Sequence, residues 1–268
     1  MSFSISGKTA IITGAANGVG LAIGRHFVAK GANVMFADMD EKRLQNELDG
    51  PLDDGPVRYF AGDLRKRLTI ANLLSATISA FDRVDILVNC SRQVVVSDPL
   101  NPLSDGVSKL LDQNLMTPLR VSQAVAKRMI KQAEDDGQSE GCIGSIVNLS
   151  SIAAQRSNPN LMALSVSTAA LDQMTRSFAV AMAPSRIRVN SVAFGSVMSA
   201  SLKHALKEDT SLRENITRHT PLGRIASASE VAESVQFLAS DASGFMTGQI
   251  VTIDGGRTLL DPVAALAH

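Results

Sequence analysis

A glycine-rich turn near the start of the chain, Thr13 to Gly20, reading TGAANGVG, constrains the fold more than any other stretch. The apolar run Ala10-Ile11-Ile12 leads into it and an amphipathic segment leaves it from about Gly18, so the spacing predicts a strand, a tight turn and a helix in succession. Gly14, Gly18 and Gly20 let the backbone turn sharply and come close to a ligand. The free N–H groups at the helix start carry the positive end of its dipole, and such a corner favours an anion, most often a phosphate. The spacing is G-x3-G-x-G and not the common G-x-G-x-x-G of dinucleotide-binding turns, so in isolation the stretch reads equally well as a purely structural turn.

The pattern continues along the chain. Short β-branched runs at 8–13, 33–37, 57–61, 85–88, 143–149, 187–192 and 249–253 alternate with helix-period segments at 18–30, from 41, 67–81, through 114 to about 132, 161–183 and 231–238. Strands joined by crossover helices predict an α/β fold with a parallel sheet covered on both faces. At 268 residues and 45% hydrophobic content the chain suffices for one large domain, 1–268. Residues 50–56 read as a surface excursion, 134–141 as a polar connector, and 196–220 as an irregular lid segment. The segment 161–183 is poor in charge on every face and is expected to be buried on more than one side.

Twenty-six basic residues balance 26 acidic ones, which gives neither nucleic acid nor an anionic membrane an electrostatic reason to bind. No window approaches the roughly 18 apolar residues of a membrane span, and no leader pattern opens the chain, so the expected setting is soluble and cytoplasmic. Cys90 and Cys142 make neither a metal spacing nor a disulfide framework; both read as inert thiols, and no metal site is expected.

Asp38 ends the second strand. Asp40 is placed to cap the helix that starts near Glu41, which leaves Asp38 without that duty. It falls 18 residues after Gly20, close to the offset at which an acid reaches the ribose hydroxyls of an adenine dinucleotide. A carboxylate there accepts from the diol and repels a 2′-phosphate, which favours NAD over NADP; a plain strand-end acid is the alternative reading.

Several segments together resemble the short-chain dehydrogenase/reductase family over essentially the entire chain. They are Thr13-Gly14-x3-Gly18-x-Gly20, Gly62-Asp63-Leu64, Asn89, Asn114, the strand into Ser150-Ser151, Arg188-Val189-Asn190, and the tail from Pro221-Leu222-Gly223-Arg224 through Thr247-Gly248-Gln249 to Asp254-Gly255-Gly256. The resemblance implies a single doubly wound Rossmann domain with a seven-stranded parallel sheet, in a dimer or tetramer built with itself or with an active relative. It further implies NAD(H) held by Gly14, Asn17, Gly18, Val19, Gly20 and Asn89, with Asp63 and Leu64 bounding the adenine pocket, and with Val197 and Ser199 at the nicotinamide amide. The substrate class it implies is a small-molecule alcohol or ketone.

The family's chemistry uses a tyrosine as proton donor, a lysine that lowers its pKa and holds the nicotinamide ribose, a serine that orients the carbonyl and an asparagine that keeps a relay water. Asn114 and Ser151 match the last two. The tyrosine and lysine are expected 13 and 17 residues after Ser151, where the chain has Leu164 and Thr168. The only tyrosine is Tyr59, inside the third strand, and no lysine lies between Lys131 and Lys203. Leucine cannot transfer a proton, and losing a positioned general acid costs roughly 10²- to 10⁴-fold in rate. His204 in the lid segment and Arg92 after the fourth strand are the candidate replacements, and each reads more simply as a solvated surface residue. Arg92 stands where the resemblance has glycine, so it either contacts or crowds the cofactor; Phe194 before Gly195 replaces a common proline in the same wall. Ser151 reads equally as a turn cap, and Asn114 as the support of a helix kink. Three functions remain open: an NAD(H)-binding regulatory subunit that has lost Tyr/Lys-dependent hydride transfer, an NAD-dependent oxidoreductase with a non-standard proton donor, and a scaffold that no longer binds dinucleotide.

Overall fold

The computed structural model describes residues 2–48, 55–198, 202–203, 206–207, 209 and 211–261. Seven parallel strands form one sheet in the order β3-β2-β1-β4-β5-β6-β7. They are β1 (Thr9–Thr13), β2 (Asn33–Asp38), β3 (Val57–Ala61), β4 (Ile86–Asn89), β5 (Gly144–Ser151), β6 (Ile187–Phe194) and β7 (Ile250–Ile253). The helices are α1 (Gly18–Ala29), α2 (Glu41–Glu47), α3 (Arg67–Phe81), α4 (Val107–Leu111), α5 (Thr117–Asp135), α6 (Met162–Met182), α7 (Ser211–Arg218) and α8 (Ala228–Ala239). This is the single Rossmann-like α/β domain that the alternation of periods predicts.

The strands are apolar on both faces because helices cover both. In β1, Ile12 joins Phe27 of α1 and Val235 of α8 on one side of the sheet. Its neighbour Ile11 points the other way, to Leu73 of α3 and Val125 and Met129 of α5. A period of two with both sets apolar yields the continuous hydrophobic runs seen in the sequence. Local signals act as written at several ends. Asp40 accepts a hydrogen bond from the Arg43 amide at the start of α2, and Ser227 and Glu230 form a reciprocal capping box on α8.

Three expectations are modified. The helix read through Asn114 is interrupted: Asp112–Met116 forms a π-helical turn between α4 and α5. Ser150 and Ser151 lie inside β5, paired with Ala193 and Phe194 of β6, and not beyond its end. Within the single chain α6 is buried on one side only. Leu164, Thr168, Leu171 and Thr175 face inward, while Val166 and Val180 are 43% and 76% exposed, because one chain supplies α6 with neighbours (β6, β5 and α4) along only that side. Most of the excursion read at 50–56 and part of the lid segment, including Ser199 and His204, lie outside the described residues.

Candidate active site

Strand order reverses between β1 and β4, whose crossovers leave in opposite directions, and a cleft of about 890 Å³ opens there at the carboxyl ends of the strands. Gly14, Asn17, Gly18, Val19, Gly20, Asp38, Asp63, Leu64, Val197, Ser151 and Leu164 all line it, so the fold gathers most of the predicted site residues from six separate segments. Asn89, Asn114 and Thr168 do not line it.

The glycine corner is built by close approach. A Cβ on Gly14 would lie 2.7 Å from the Ser91 Cα and amide nitrogen, and one on Gly20 would lie 2.2 Å from the Gly14 carbonyl oxygen. The backbone contact with the corner is therefore made at Ser91, one residue before Arg92. Thr13 reinforces it: its hydroxyl oxygen accepts from the Cys90 and Ser91 amides, both at 3.1 Å. Asp38 is also part of the frame. Its carboxylate accepts from the Ala16 amide and the Asp40 amide, each at 3.1 Å, so the acid that faces the cleft also braces the turn before α1.

At the same end Asp63 receives a two-pronged hydrogen bond from Arg65, at 2.8 and 2.9 Å, and that contact holds its carboxyl below the usual range. Leu64 is buried beside it.

Asn89 turns its amide group beneath the floor, where it donates to the Ser122 hydroxyl at 3.0 Å and to Asn148 at 2.9 Å; Asn148 passes the chain on to Thr175 of α6. Asn114 sits in the π-helical turn. Its side chain accepts from the Gln93 amide and donates to the Gln93 carbonyl and the Ser167 hydroxyl, which ties the loop after β4 to α6. Ser151 accepts from the Ala153 amide at 3.1 Å, capping a short turn while it faces the cleft.

On α6, Leu164 presents its side chain to the cleft and packs against Leu110, Ala153 and Ala163. Thr168, one turn on, is buried, and its hydroxyl donates to the Leu164 carbonyl at 2.7 Å. The i, i+4 pair therefore offers the cleft a hydrocarbon surface and no titratable group. No tyrosine, lysine or histidine lines the cleft among the described residues. Tyr59 lies on β3, accepting from Gln45.

Arg92 does line the cleft. It donates to the Ser150 carbonyl at 3.1 Å, and its guanidinium lies 4.3 Å over the ring of Phe194. Burial pulls its pKa below the ordinary arginine value and pushes the neighbouring Cys90 thiol up to about 12, which keeps that thiol protonated and unreactive. Sequence reasoning missed Arg65, Gln113, Arg156 and Arg257, all of which line the cleft. Arg156, five residues after Ser151, and Arg257, directly after Gly255-Gly256, had only their proximity to singled-out motifs as a signal.

Among the described residues no helix is long and apolar enough to cross a membrane. The family model described as enoyl-(acyl carrier protein) reductase matches residues 14–258. The chain is 32% identical over 258 residues to a 3-oxoacyl-(acyl-carrier-protein) reductase of Thermotoga maritima, covering 95% of this chain and 99% of the relative. A short-chain type dehydrogenase/reductase from Mycobacterium ulcerans superimposes with a TM-score of 0.84 at 28% identity, covering 96% of this chain and 91% of that one. A 7α-hydroxysteroid dehydrogenase solved with NADH and 7-oxo glycochenodeoxycholic acid superimposes with a TM-score of 0.83 at 29% identity over 95% of each chain.

Proposed function

The chain belongs to the short-chain dehydrogenase/reductase family, an oxidoreductase family, and from that premise we propose that it binds NAD(H) in the cleft but does not carry out Tyr/Lys-dependent hydride transfer. It serves as a non-catalytic or regulatory subunit, paired with a second copy or an active relative through the outer side of α6, where Val166 and Val180 are exposed. The observation that supports this reading is the pair on α6: Leu164 faces the cleft and Thr168 is closed off in a hydrogen bond to its carbonyl, at the positions where the resemblance leads one to expect a tyrosine and a lysine.

Binding has its own support. The glycine corner offers the amides of a helix start to a pyrophosphate. Asp38 lines the cleft, and a carboxylate there would accept from a ribose diol and oppose a 2′-phosphate, which supports the reading of NAD over NADP. Asp63 and Leu64 would bound the adenine, and Val197 the nicotinamide amide, with Ser199 outside the described residues. Leu202 reaches the cleft from the segment 196–220, consistent with a lid role for that segment. When bound, the dinucleotide would supply a hydride donor or acceptor; the chain's own residues hold and orient it, and none of those at the cleft among the described residues moves a proton as tyrosine does.

A second reading is favoured by the persistence of Ser151 at the cleft and Asn114 in the π-helical turn: an NAD-dependent oxidoreductase of an alcohol or ketone with another proton donor.

Calorimetry with NADH and NADPH, combined with a scan of secondary alcohols and ketones, tests both. Micromolar NADH binding without turnover is expected. Robust NAD-dependent oxidation of a secondary alcohol would overturn the first reading, and failure to bind NADH would leave only a scaffold. The Leu164→Tyr/Thr168→Lys double variant is expected to bind NADH more tightly than the parent, since it returns a ribose-holding ammonium to α6.

A further inference from the structure

The charges around the cleft are unevenly distributed. The two acids that line it, Asp38 and Asp63, belong to the β2–β3 end, and Asp63 is already paired with Arg65. At the other end, around the tips of β5 and β6, the lining residues include three arginines, Arg92, Arg156 and Arg257, and no acid.

Among the described residues none of the three has a carboxylate partner at salt-bridge distance, unlike Arg65, Arg83, Arg120, Arg218 and Arg224 elsewhere on the chain. Arg156 donates to the Thr258 carbonyl and Arg257 to the Ser196 hydroxyl at 2.7 Å, both neutral acceptors. Asp254 lies near enough to Arg257 to feel its charge, but its carboxylate oxygens are taken by the Gly256 and Thr258 amides.

Arg92 is the most exacting case. A guanidinium has five N–H donors in a planar fork, and here the protein accepts from a single nitrogen, through the Ser150 carbonyl. The other nitrogens are not sealed away without partners, so they open toward the cleft. The ring of Phe194 fixes the plane of the fork, and stacking of this kind holds an arginine ready for bidentate recognition. A half-buried guanidinium with no carboxylate partner among the described residues keeps donors free for an anion, and Ser151, Gln93 and Gln113 add neutral polar groups around the same opening.

We propose that the end of the cleft between Ser151 and Arg257 is a site for an oxyanion-bearing small molecule, a carboxylate or a phosphate ester, recognised by Arg92 inside and by Arg156 and Arg257 at the rim. The site names the ligand class for the other half of the cleft. It rests on the functional reading above only in that the adenine half of the dinucleotide is assigned to the β2–β3 end, with the nicotinamide reaching Val197 beside this site.

The test compares acids with their neutral counterparts by calorimetry at low ionic strength, first without cofactor: acetoacetate against its methyl ester, and glycerol 3-phosphate against glycerol. At least one acid is expected to bind roughly tenfold or more tightly than its neutral counterpart, the range expected for a charge-assisted hydrogen-bonded pair, and the responding pair identifies carboxylate or phosphate. Arg92→Met is expected to abolish that preference and Arg92→Lys to keep part of it. Should Arg92→Met not fold, the Arg156→Gln/Arg257→Gln double variant on the exposed rim is expected to lower the preference about threefold or more. Equal binding of acid and neutral probe in both pairs, or a preference that survives every one of these changes, overturns the proposal. NADH binding is measured separately, so its absence would overturn the dinucleotide reading while the acid-against-neutral comparison still stands on its own.

Discussion

Replacing Gly14 and Gly18 by alanine separates two functions of the glycine corner. Both residues have positive φ, +66° and +56°, so each alanine pays the left-handed penalty of roughly 1–2 kcal/mol. Their surroundings differ. The new methyl at Gly14 would lie 2.7 Å from the Ser91 Cα and amide nitrogen, both backbone atoms that cannot swing away, and such overpacking adds about 1–3 kcal/mol. At Gly18 nothing lies within 4 Å of the new methyl, which instead borders the cleft where a phosphate would approach the start of α1. Gly14→Ala is therefore expected to lose about 2–5 kcal/mol of stability, and Gly18→Ala only roughly 1–2 kcal/mol. Gly18→Ala should nevertheless weaken NADH binding by about tenfold or more, the effect of pushing a phosphate off its amide donors. Urea unfolding gives the first pair of numbers, with the midpoint moving at constant slope, and calorimetry gives the affinity. Equal stability of the two variants would refute the assigned contact between β1 and the loop after β4. Gly18→Ala binding NADH like the parent would refute the placement of the phosphate.

Three further outcomes follow from single contacts. Asp38→Ala should shift the NADH-to-NADPH preference toward NADPH by roughly tenfold, because the carboxylate that opposes a 2′-phosphate is gone; an unchanged ratio of the two dissociation constants would mean that Asp38 serves only to brace the Ala16 and Asp40 amides. A maleimide at neutral pH should label Cys142, which is exposed, and spare half-buried Cys90, whose thiol burial holds up to about 12; mass spectrometry of the digested protein reads both, and fast labelling of Cys90 would contradict its raised pKa. Glu230 should titrate near 2, well below its ordinary 4.5, chiefly through the hydrogen bonds from Arg224 and then the Ser227 amide. Its folded value is the lower one, so its contribution to stability is present above about 4.5 and is lost as pH falls toward 2. Carbon-detected NMR titration checks this, and Arg224→Ala should move the midpoint back upward.

The local half of the structure was readable from residue order. Hydrophobic period separates β3 from α3, whose bounds 57–61 and 67–81 match the predicted ones, and Asp40 announces α2 because a cap acts over three residues. The site was readable wherever a residue ends a strand, as at Asp38 and Ser151, since all strand ends of a parallel sheet meet at one edge. What escaped depends on contacts distant in sequence. That Asn89 looks down to Asn148 and not up to the cleft depends on which side of β4 it occupies once β5 is alongside. That Arg92 lies over Phe194 requires the loop after β4 and the end of β6, more than 100 positions apart in the chain, to be set face to face. Arg156 and Arg257 converge for the same reason. Periodicity does not report such meetings.

The π-helical turn at Asp112–Met116 also fixes how this chain can change length. A π-turn is an α-helix carrying a surplus residue, and each residue removed from a helix rotates whatever precedes it by about 100°. Shortening this turn by one would make α4 and α5 a single regular helix, and it would swing Leu110 away from Ala163 and Leu164 and carry Asn114 off the Gln93 backbone. The turn between α4 and α5 therefore does not tolerate loss of a residue, and its length is as much a part of the site as any side chain lining it.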